Sequence, residues 1–349
     1  MTSIVFTGGG TAGHYAPNYA IIPLIKGDFD EVYYIGSEAG KEKDEAKRQG
    51  VKYYGVTCVK FIRGFDIKNL AIPFKLVKGV AEATKILKKI SPSVVFSKGG
   101  FVSLPVVIAS KKLKIPVISH ESDMSVGLAN KIGGKFSSVV LTSFKDTKGA
   151  PKNSKFVGTP IRESLFKNRD KREILKKYGF SGNKKILLVV GGSQGSASIN
   201  TAVRNALDEL LKSYEIAHVC GKGKLSNVRR QGYKEIEFAE DIGELFAVAD
   251  TAVSRAGANT LFELVALSIP TLAVPLPKGN SRGDQVENAE YFKDNGLIEA
   301  LSEENLSPKT LVSALKLLEE KRETIIKNCS AKNFRESAKI IAEIIRSYK

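Results

Sequence analysis

Gly8-Gly9-Gly10-Thr11-Ala12-Gly13-His14 follows the apolar run Ile4-Val5-Phe6, and Gly191-Gly192-Ser193-Gln194-Gly195 follows Ile186-Leu187-Leu188-Val189-Val190. Both stretches read as a buried strand, a turn poor in side chains, and the start of a helix. Such a turn aims unpaired backbone N–H groups and the positive end of a helix dipole at one point, which makes an anion site. One glycine loop often serves geometry alone. Two loops, one in each half of a 349-residue chain, predict two nucleotide-fold domains with a phosphate-bearing ligand in the cleft between them.

The pattern around the loops agrees. Residues 31–36, 51–56, 93–97 and 115–119 read as strands, and Phe74 to Ile90 carries apolar residues at helical spacing. After the Gly/Pro junction near Phe156 to Arg162 the pattern restarts. Strands are expected at 185–190, 215–219, 251–254 and 270–274, and helices at 196–211, 258–267 and 284–295. Strand–helix alternation of this kind implies a parallel sheet covered on both faces, with ligands at the carboxyl ends of the strands. The fold class is therefore α/β, with two doubly wound Rossmann-like domains facing a cleft. The boundaries read as 1–160, 161–332, and a terminal helix over 333–349 that packs back on the first domain.

Composition narrows the class. No apolar run approaches the ~18 residues of a membrane span, and the N-terminal core strand lacks a basic leader. Cys58, Cys220 and Cys329 have neither metal nor redox spacing. The formal charge of +17 leaves nucleic acid, an anionic membrane and a polyphosphate substrate open. Most lysines lie on polar helix faces, and no aromatic stacking motif or reading helix marks a nucleic-acid binder.

Chemistry concentrates after the strands. His14 falls in a first helical turn, where the dipole disfavours the cation, so its imidazole could take a proton from a sugar hydroxyl or could simply position a loop. His120-Glu121-Ser122-Asp123 is expected beyond the end of its strand, where four polar side chains are costly to bury without a polar ligand. His218, inside Ile216-Ala217-His218-Val219, reads as structural. In the second half, small residues across Ser254 to Thr260 precede a helix bearing Glu263, a carboxylate placed to read ribose hydroxyls. Asp284, Gln285 and Asn288 offer the mixed donors and acceptors that a sugar and its acetamide require. Asp28-Phe29-Asp30 spells a metal-type D-x-D but precedes its strand, which makes it a surface turn. No metal or cofactor is called for, and a leaving diphosphate would be stabilised by helix N-termini, hydroxyls and Arg162.

Between Phe61 and Lys75 large apolar residues (Phe61, Phe65, Ile67, Leu70, Ile72, Phe74) alternate irregularly with cations that include Lys68 and Lys75. An apolar patch with basic neighbours suits an anionic bilayer surface, at about 1 kcal/mol per cation near the headgroups. A loop packed into the N-terminal core is the other reading.

The ordered set of motifs resembles the family of peptidoglycan N-acetylglucosaminyltransferases that convert lipid I to lipid II. It rests on Thr7 to His14, Ser97-Lys98-Gly99-Gly100-Phe101-Val102-Ser103, Gly127-Leu128-Ala129-Asn130, Gly191 to Gly195, Arg255-Ala256-Gly257-Ala258 with Glu263, and Asp284-Gln285 with Asn288-Ala289. The resemblance implies an inverting, metal-independent glycosyltransferase of the B-type fold. It would take UDP-GlcNAc on the second domain and the undecaprenyl-linked acceptor, lipid I, on the first. It implies His14 or Glu121 as the base. Donor contacts would come from Thr11, Ala12, Gly13, Asp123, Arg162, Ser193, Asn200, Ala239, Ile242, Ala258, Asn259, Thr260, Glu263, Gln285 and Asn288. It also implies a peripheral position on the cytoplasmic face of the cell membrane, contact with anionic phospholipid, and partners among cell-wall synthesis and division proteins. Two positions depart from the commonest family pattern: Ala12 replaces a glycine, and Ser122-Asp123 stands where Gln-Asn is usual. Rival readings with the same fold are a non-hydrolysing UDP-GlcNAc 2-epimerase and a diacylglycerol glycosyltransferase.

Overall fold

A computed structural model describes residues 2–59, 71–192, 194–279 and 282–349. The chain divides into two compact units, one of residues 1–162 with 335–349 and the other of residues 163–334.

The first unit runs β1 (Ser3–Thr7), α1 (Ala12–Tyr15), α2 (Asn18–Ile25), β2 (Glu31–Ser37), α3 (Glu42–Arg48), β3 (Lys52–Val56), α4 (Ile72–Ile90), β4 (Val94–Ser97), α5 (Leu104–Lys112), β5 (Val117–Glu121), α6 (Leu128–Gly133), β6 (Val139–Thr142) and β7 (Ser154–Phe156). All pairings are parallel, in the order β3-β2-β1-β4-β5-β6-β7. The central strands β1, β4 and β5 are buried at every residue because both faces are covered. Ile4, Phe6, Phe96 and Ile118 pack with Ile21, Ile22 and Ile25 of α2, while Val5, Val95 and Val117 pack with Ala83 and Leu87 of α4 and Val106 and Val107 of α5. Each such side chain contributes roughly 1.5–3 kcal/mol when fully buried.

The second unit runs α7 (Lys171–Tyr178), β8 (Lys185–Val190), α8 (Ala197–Asn205), α9 (Leu207–Ser213), β9 (Tyr214–Val219), β10 (Tyr233–Ile236), α10 (Ile242–Val248), β11 (Thr251–Ser254), α11 (Ala258–Ala266), β12 (Thr271–Ala273), α12 (Asp284–Asp294), β13 (Glu299–Ala300), α13 (Pro308–Glu320) and α14 (Arg322–Ser330). Its parallel sheet has the order β10-β9-β8-β11-β12-β13. The helix expected over 196–211 breaks at Ala206, whose φ of −100° and ψ of 2° end α8 and start α9. Side-chain oxygens cap several helices: Ser196 accepts from Ile199 N, Asp241 from Gly243 N, and Ser307 from Thr310 N.

The last helix, α15 (Ser337–Arg346), belongs to the first unit, where Ile341 and Ile345 enter the core beside α2. Arg346 holds it there, with Nε donating to Asp28 Oδ2 at 2.8 Å and Nη2 to Leu24 O at 2.7 Å. Asp30 of the same D-x-D accepts from Thr2 N, so both carboxylates serve structure.

Candidate active site

In each unit the polar residues gather where the strand order reverses, between β1 and β4 and between β8 and β11. Ligands of doubly wound sheets bind there, outside the carboxyl ends of the strands.

In the first unit the loops after β1, β4 and β5 lie side by side. Thr11 Oγ1 sits 2.7 Å from His14 Nδ1, which fixes the imidazole in α1. The turn Gly99-Gly100 runs beneath that ring. Gly100 has a φ of +78°, and a β-carbon there would lie 2.7 Å from Gly9 O and 3.1 Å from His14 Cγ, so only glycine allows the approach. Gly99 abuts the Asn130 side chain in the same way, at 2.2 Å from Oδ1 for an added β-carbon.

The strand expected over 115–119 forms two residues later, as β5 (Val117–Glu121). His120 and Glu121 are therefore in the sheet rather than beyond it. Both are buried. Glu121 Oε1 accepts from Ser122 N at 2.8 Å and Asp123 N at 3.1 Å, and Oε2 accepts from Gly127 N at 3.0 Å and Asn130 Nδ2 at 2.9 Å. This carboxylate organises the loop that follows it. His120 Nε2 donates to Gly158 O at 2.9 Å, and because that partner is a carbonyl the proton sits on Nε2. Burial, and then the Lys98 charge, hold its pKa well below the ordinary value, so the ring is neutral.

Lys98 is the residue that sequence reasoning passed over, quoted only as part of a glycine motif. It is 1% exposed, and its ammonium donates to Ser122 Oγ. Burial pushes its pKa down to about 8, against the opposing pull of Glu121 and Asp123. The available signal was a cation placed one residue after the apolar run Val94-Val95-Phe96 and directly before a Gly-Gly turn.

In the second unit Gly195 N donates to Gly192 O at 3.0 Å, closing the glycine loop ahead of α8. Arg255 supports it: Nη2 donates to Ser196 Oγ at 2.7 Å and Ser198 Oγ at 3.1 Å and pairs with Glu303, while Nη1 donates to Val274 O at 3.2 Å. No local pattern marked Glu303. Ala258, Asn259 and Thr260 form the start of α11 with Glu263 in its second turn, and Ala239 and Ile242 flank the cap of α10. Gln285 Oε1 accepts from Leu276 N at 3.0 Å.

Asn288, expected on the sugar, and Asn200, expected among the donor contacts, each brace the fold through a hydrogen bond to backbone. Asn288 is fully buried and donates to Ala256 O at 3.3 Å, tying α12 to the turn after β11. Asn200, 2% exposed, donates to Cys220 O at 2.9 Å and meets His218 Nε2 at 3.0 Å. His218 is buried between Asn200 and Tyr233, as its apolar run suggests. Arg162 is the last residue of the first unit before the junction.

Ser193, Phe61, Phe65, Ile67, Lys68, Leu70 and the side chain of Ala12 lie outside the described residues. Of the basic, apolar patch, Ile72, Phe74 and Lys75 form the first turn of α4, where Phe74 is 79% and Val77 70% exposed. Among the described residues no helix is long and apolar enough to cross a membrane.

The N-terminal domain of glycosyltransferase family 28 matches residues 4–142, and its C-terminal domain matches residues 186–344. The chain is 45% identical over 350 residues to the UDP-N-acetylglucosamine–N-acetylmuramyl-(pentapeptide) pyrophosphoryl-undecaprenol N-acetylglucosamine transferase of Clostridium tetani, covering 99% of this chain and 98% of that one. The Clostridium perfringens enzyme of the same name is 44% identical, covering 98% and 97%. Among solved structures, Acinetobacter baumannii MurG superposes with a TM-score of 0.76 at 23% identity, covering 99% and 100% of the two chains. A Neisseria meningitidis UDP-GlcNAc 2-epimerase bound to UDP-GlcNAc gives 0.68 at 16%, covering 99% and 100%. These two likenesses extend to the fold alone. Full-length identity above 40% and both domain matches in order carry the assignment: the chain belongs to glycosyltransferase family 28, among its MurG N-acetylglucosaminyltransferases.

Proposed function

We propose that the protein transfers GlcNAc from UDP-GlcNAc to the C4 hydroxyl of the muramoyl sugar of lipid I, giving lipid II and UDP. The observation that carries this reading is the 45% identity, over nearly the whole chain, to an enzyme named for that transfer. The hydroxyl oxygen attacks the anomeric carbon from the face opposite UDP. The new C–O bond forms as the bond to the diphosphate breaks, and UDP leaves with that electron pair. His14 takes the hydroxyl proton, and the reading assigns the transfer to Nε2, with Nδ1 held by Thr11. Glu121 is a positioning residue, since its carboxylate already accepts four hydrogen bonds from the loop and Asn130. The backbone loop after β8, steadied by Arg255, and Arg162 stabilise the departing diphosphate, with Glu263 on ribose and Gln285 on the sugar. No metal enters any of these steps.

Labelled UDP-GlcNAc incubated with a lipid I analogue, with and without chelator, tests the reading. Label should pass to the lipid in both arms. Conversion of UDP-GlcNAc without acceptor would indicate an epimerase instead, and label on diacylglycerol a different transferase.

The lipid-linked acceptor requires a membrane surface, and the first turn of α4 offers one contact. Exposed Phe74 and Val77 lie beside Lys75 and Lys78, a pairing suited to the anionic cytoplasmic leaflet. Phe74→Ser with Val77→Ser should weaken binding to anionic vesicles about 100-fold or more, in keeping with roughly 1.5–3 kcal/mol per buried apolar side chain and about 1.4 kcal/mol per tenfold. Unchanged binding would remove this contact from the proposal.

A further inference from the structure

We propose that Lys98 is a positioning residue for the transfer reaction, its buried ammonium holding the Ser122–Gly127 loop in register with the turn beneath His14. The inference rests on the reading of His14 as the base.

Among the described residues Lys98 is the only lysine or arginine in the buried class. A buried ammonium is costly unless opposing charge and hydrogen bonds compensate it. Here the compensation comes from one place. Ser122 Oγ accepts the hydrogen bond, and Glu121 and Asp123 supply the negative charge. Glu121 ends β5, and Ser122 and Asp123 open the loop that it ties down through Ser122 N, Asp123 N and Gly127 N.

On the other side Lys98 is fixed by its backbone. Lys98 N donates to Thr7 O at 2.9 Å, which joins it to the strand leading into the first glycine loop. The next two residues are Gly99, against Asn130, and Gly100, against Gly9 and His14. One residue thus links the β1 loop that carries His14 to the β5 loop that carries Asp123. Without its cation, Glu121 and Asp123 would repel across the same small volume, and the loop would lose its tether at Ser122.

The charged and titratable groups around Lys98 are Glu121, Asp123 and neutral His120 from β5 and its loop, His14 above the following turn, and Tyr34 of β2. Tyr34 donates to Gly8 O at 2.8 Å. Burial raises the Tyr34 pKa well above its ordinary value, so it stays neutral. Lys98, at about 8, is therefore the group that loses its charge on the alkaline side.

The test uses the full-length enzyme with UDP-GlcNAc and a lipid I analogue. Lys98→Met should lower kcat by 10-fold or more and leave the KM for UDP-GlcNAc within twofold. Lys98→Met combined with Asp123→Asn should recover kcat several-fold over Lys98→Met alone, because the uncompensated anion is gone. Near-normal kcat in Lys98→Met, or a double variant as poor as the product of the two single losses, would overturn the proposal. A second measurement needs only Asp123→Asn, so it stands even if Lys98→Met does not fold. Wild-type kcat should fall with a midpoint near pH 8, and Asp123→Asn should move that midpoint lower, since Asp123 favours the charged lysine. An unmoved alkaline limb would also overturn it. Absence of transfer by the wild type would instead refute the functional reading itself.

Discussion

Thr11 Oγ1 and His14 Nδ1 meet at 2.7 Å, so the residue that ends the first glycine loop orients the imidazole one helical turn later. Thr11→Val keeps the shape and removes the oxygen. Small errors in the placement of a base cost rate more than affinity, so kcat should drop about 10-fold with UDP affinity preserved. Thr11→Ser should retain most activity. Steady-state transfer kinetics with both variants check this, and an unaffected Thr11→Val enzyme would remove the orienting role.

Glu121→Gln replaces a four-bond acceptor with a side chain that has only one acceptor oxygen. At least one buried donor of the 122–127 loop then faces an NH2 group. The cost should be about 2 kcal/mol of unfolding free energy, the scale of an unpaired buried hydrogen-bonding group. Denaturant titration measures it. The residual activity should keep its acid limb, because the proton acceptor is His14; loss of that limb would transfer the base role to Glu121.

Arg255→Lys tests the support of the second glycine loop and its proposed hold on the diphosphate. A lysine cannot reproduce the planar fork that reaches Ser196, Ser198, Glu303 and Val274 O together. UDP binding should weaken about 5- to 10-fold, equivalent to roughly one hydrogen bond. Calorimetric titration with UDP gives the answer, and an unchanged Kd would separate Arg255 from donor binding.

Acid should destabilise the fold through its buried imidazoles. Burial, and then Arg204, push His218 down to about 4 against the opposing effect of Glu235. The unfolded chain takes up that proton near its ordinary value of about 6.5 while the folded chain refuses it. The stability is full above pH 6.5 and is lost as pH falls towards 4, by about 3 kcal/mol for this one residue. His120 acts in the same direction. Urea midpoints between pH 7 and pH 4 should fall, and less steeply in His218→Gln. Equal slopes would contradict the assignment.

The parallel sheets were legible because strands covered on both faces read as unbroken apolar runs, and Ile186 to Val190 is the clearest example. The short strands β6, β10 and β13 were not, since two to four residues near a sheet margin carry too little pattern. β5 was read two residues early. A strand that continues through His120 and Glu121 needs their polar groups satisfied, by Gly158 O and by Asn130 with the backbone of 122–127, and these partners are distant or unmarked in sequence. The same limit hid Lys98 and Glu303. Their identities as charged residues were visible, but burial and pairing depend on neighbours supplied by other strands and helices. Asn200 and Asn288 show a related limit: their hydrogen bonds to Cys220 O and Ala256 O join segments far apart in sequence, which no local pattern marks.

The most direct test is the transfer rate of His14→Ala, measured alongside its UDP affinity. A positioned base contributes roughly 10²- to 10⁴-fold, so turnover should fall by at least about 100-fold. The Kd for UDP should stay within twofold, because the nucleotide contacts, Arg162 apart, are assigned to the second unit. Turnover close to wild type would contradict His14 as the base, and a matching loss of UDP binding would contradict the division of donor and acceptor between the units.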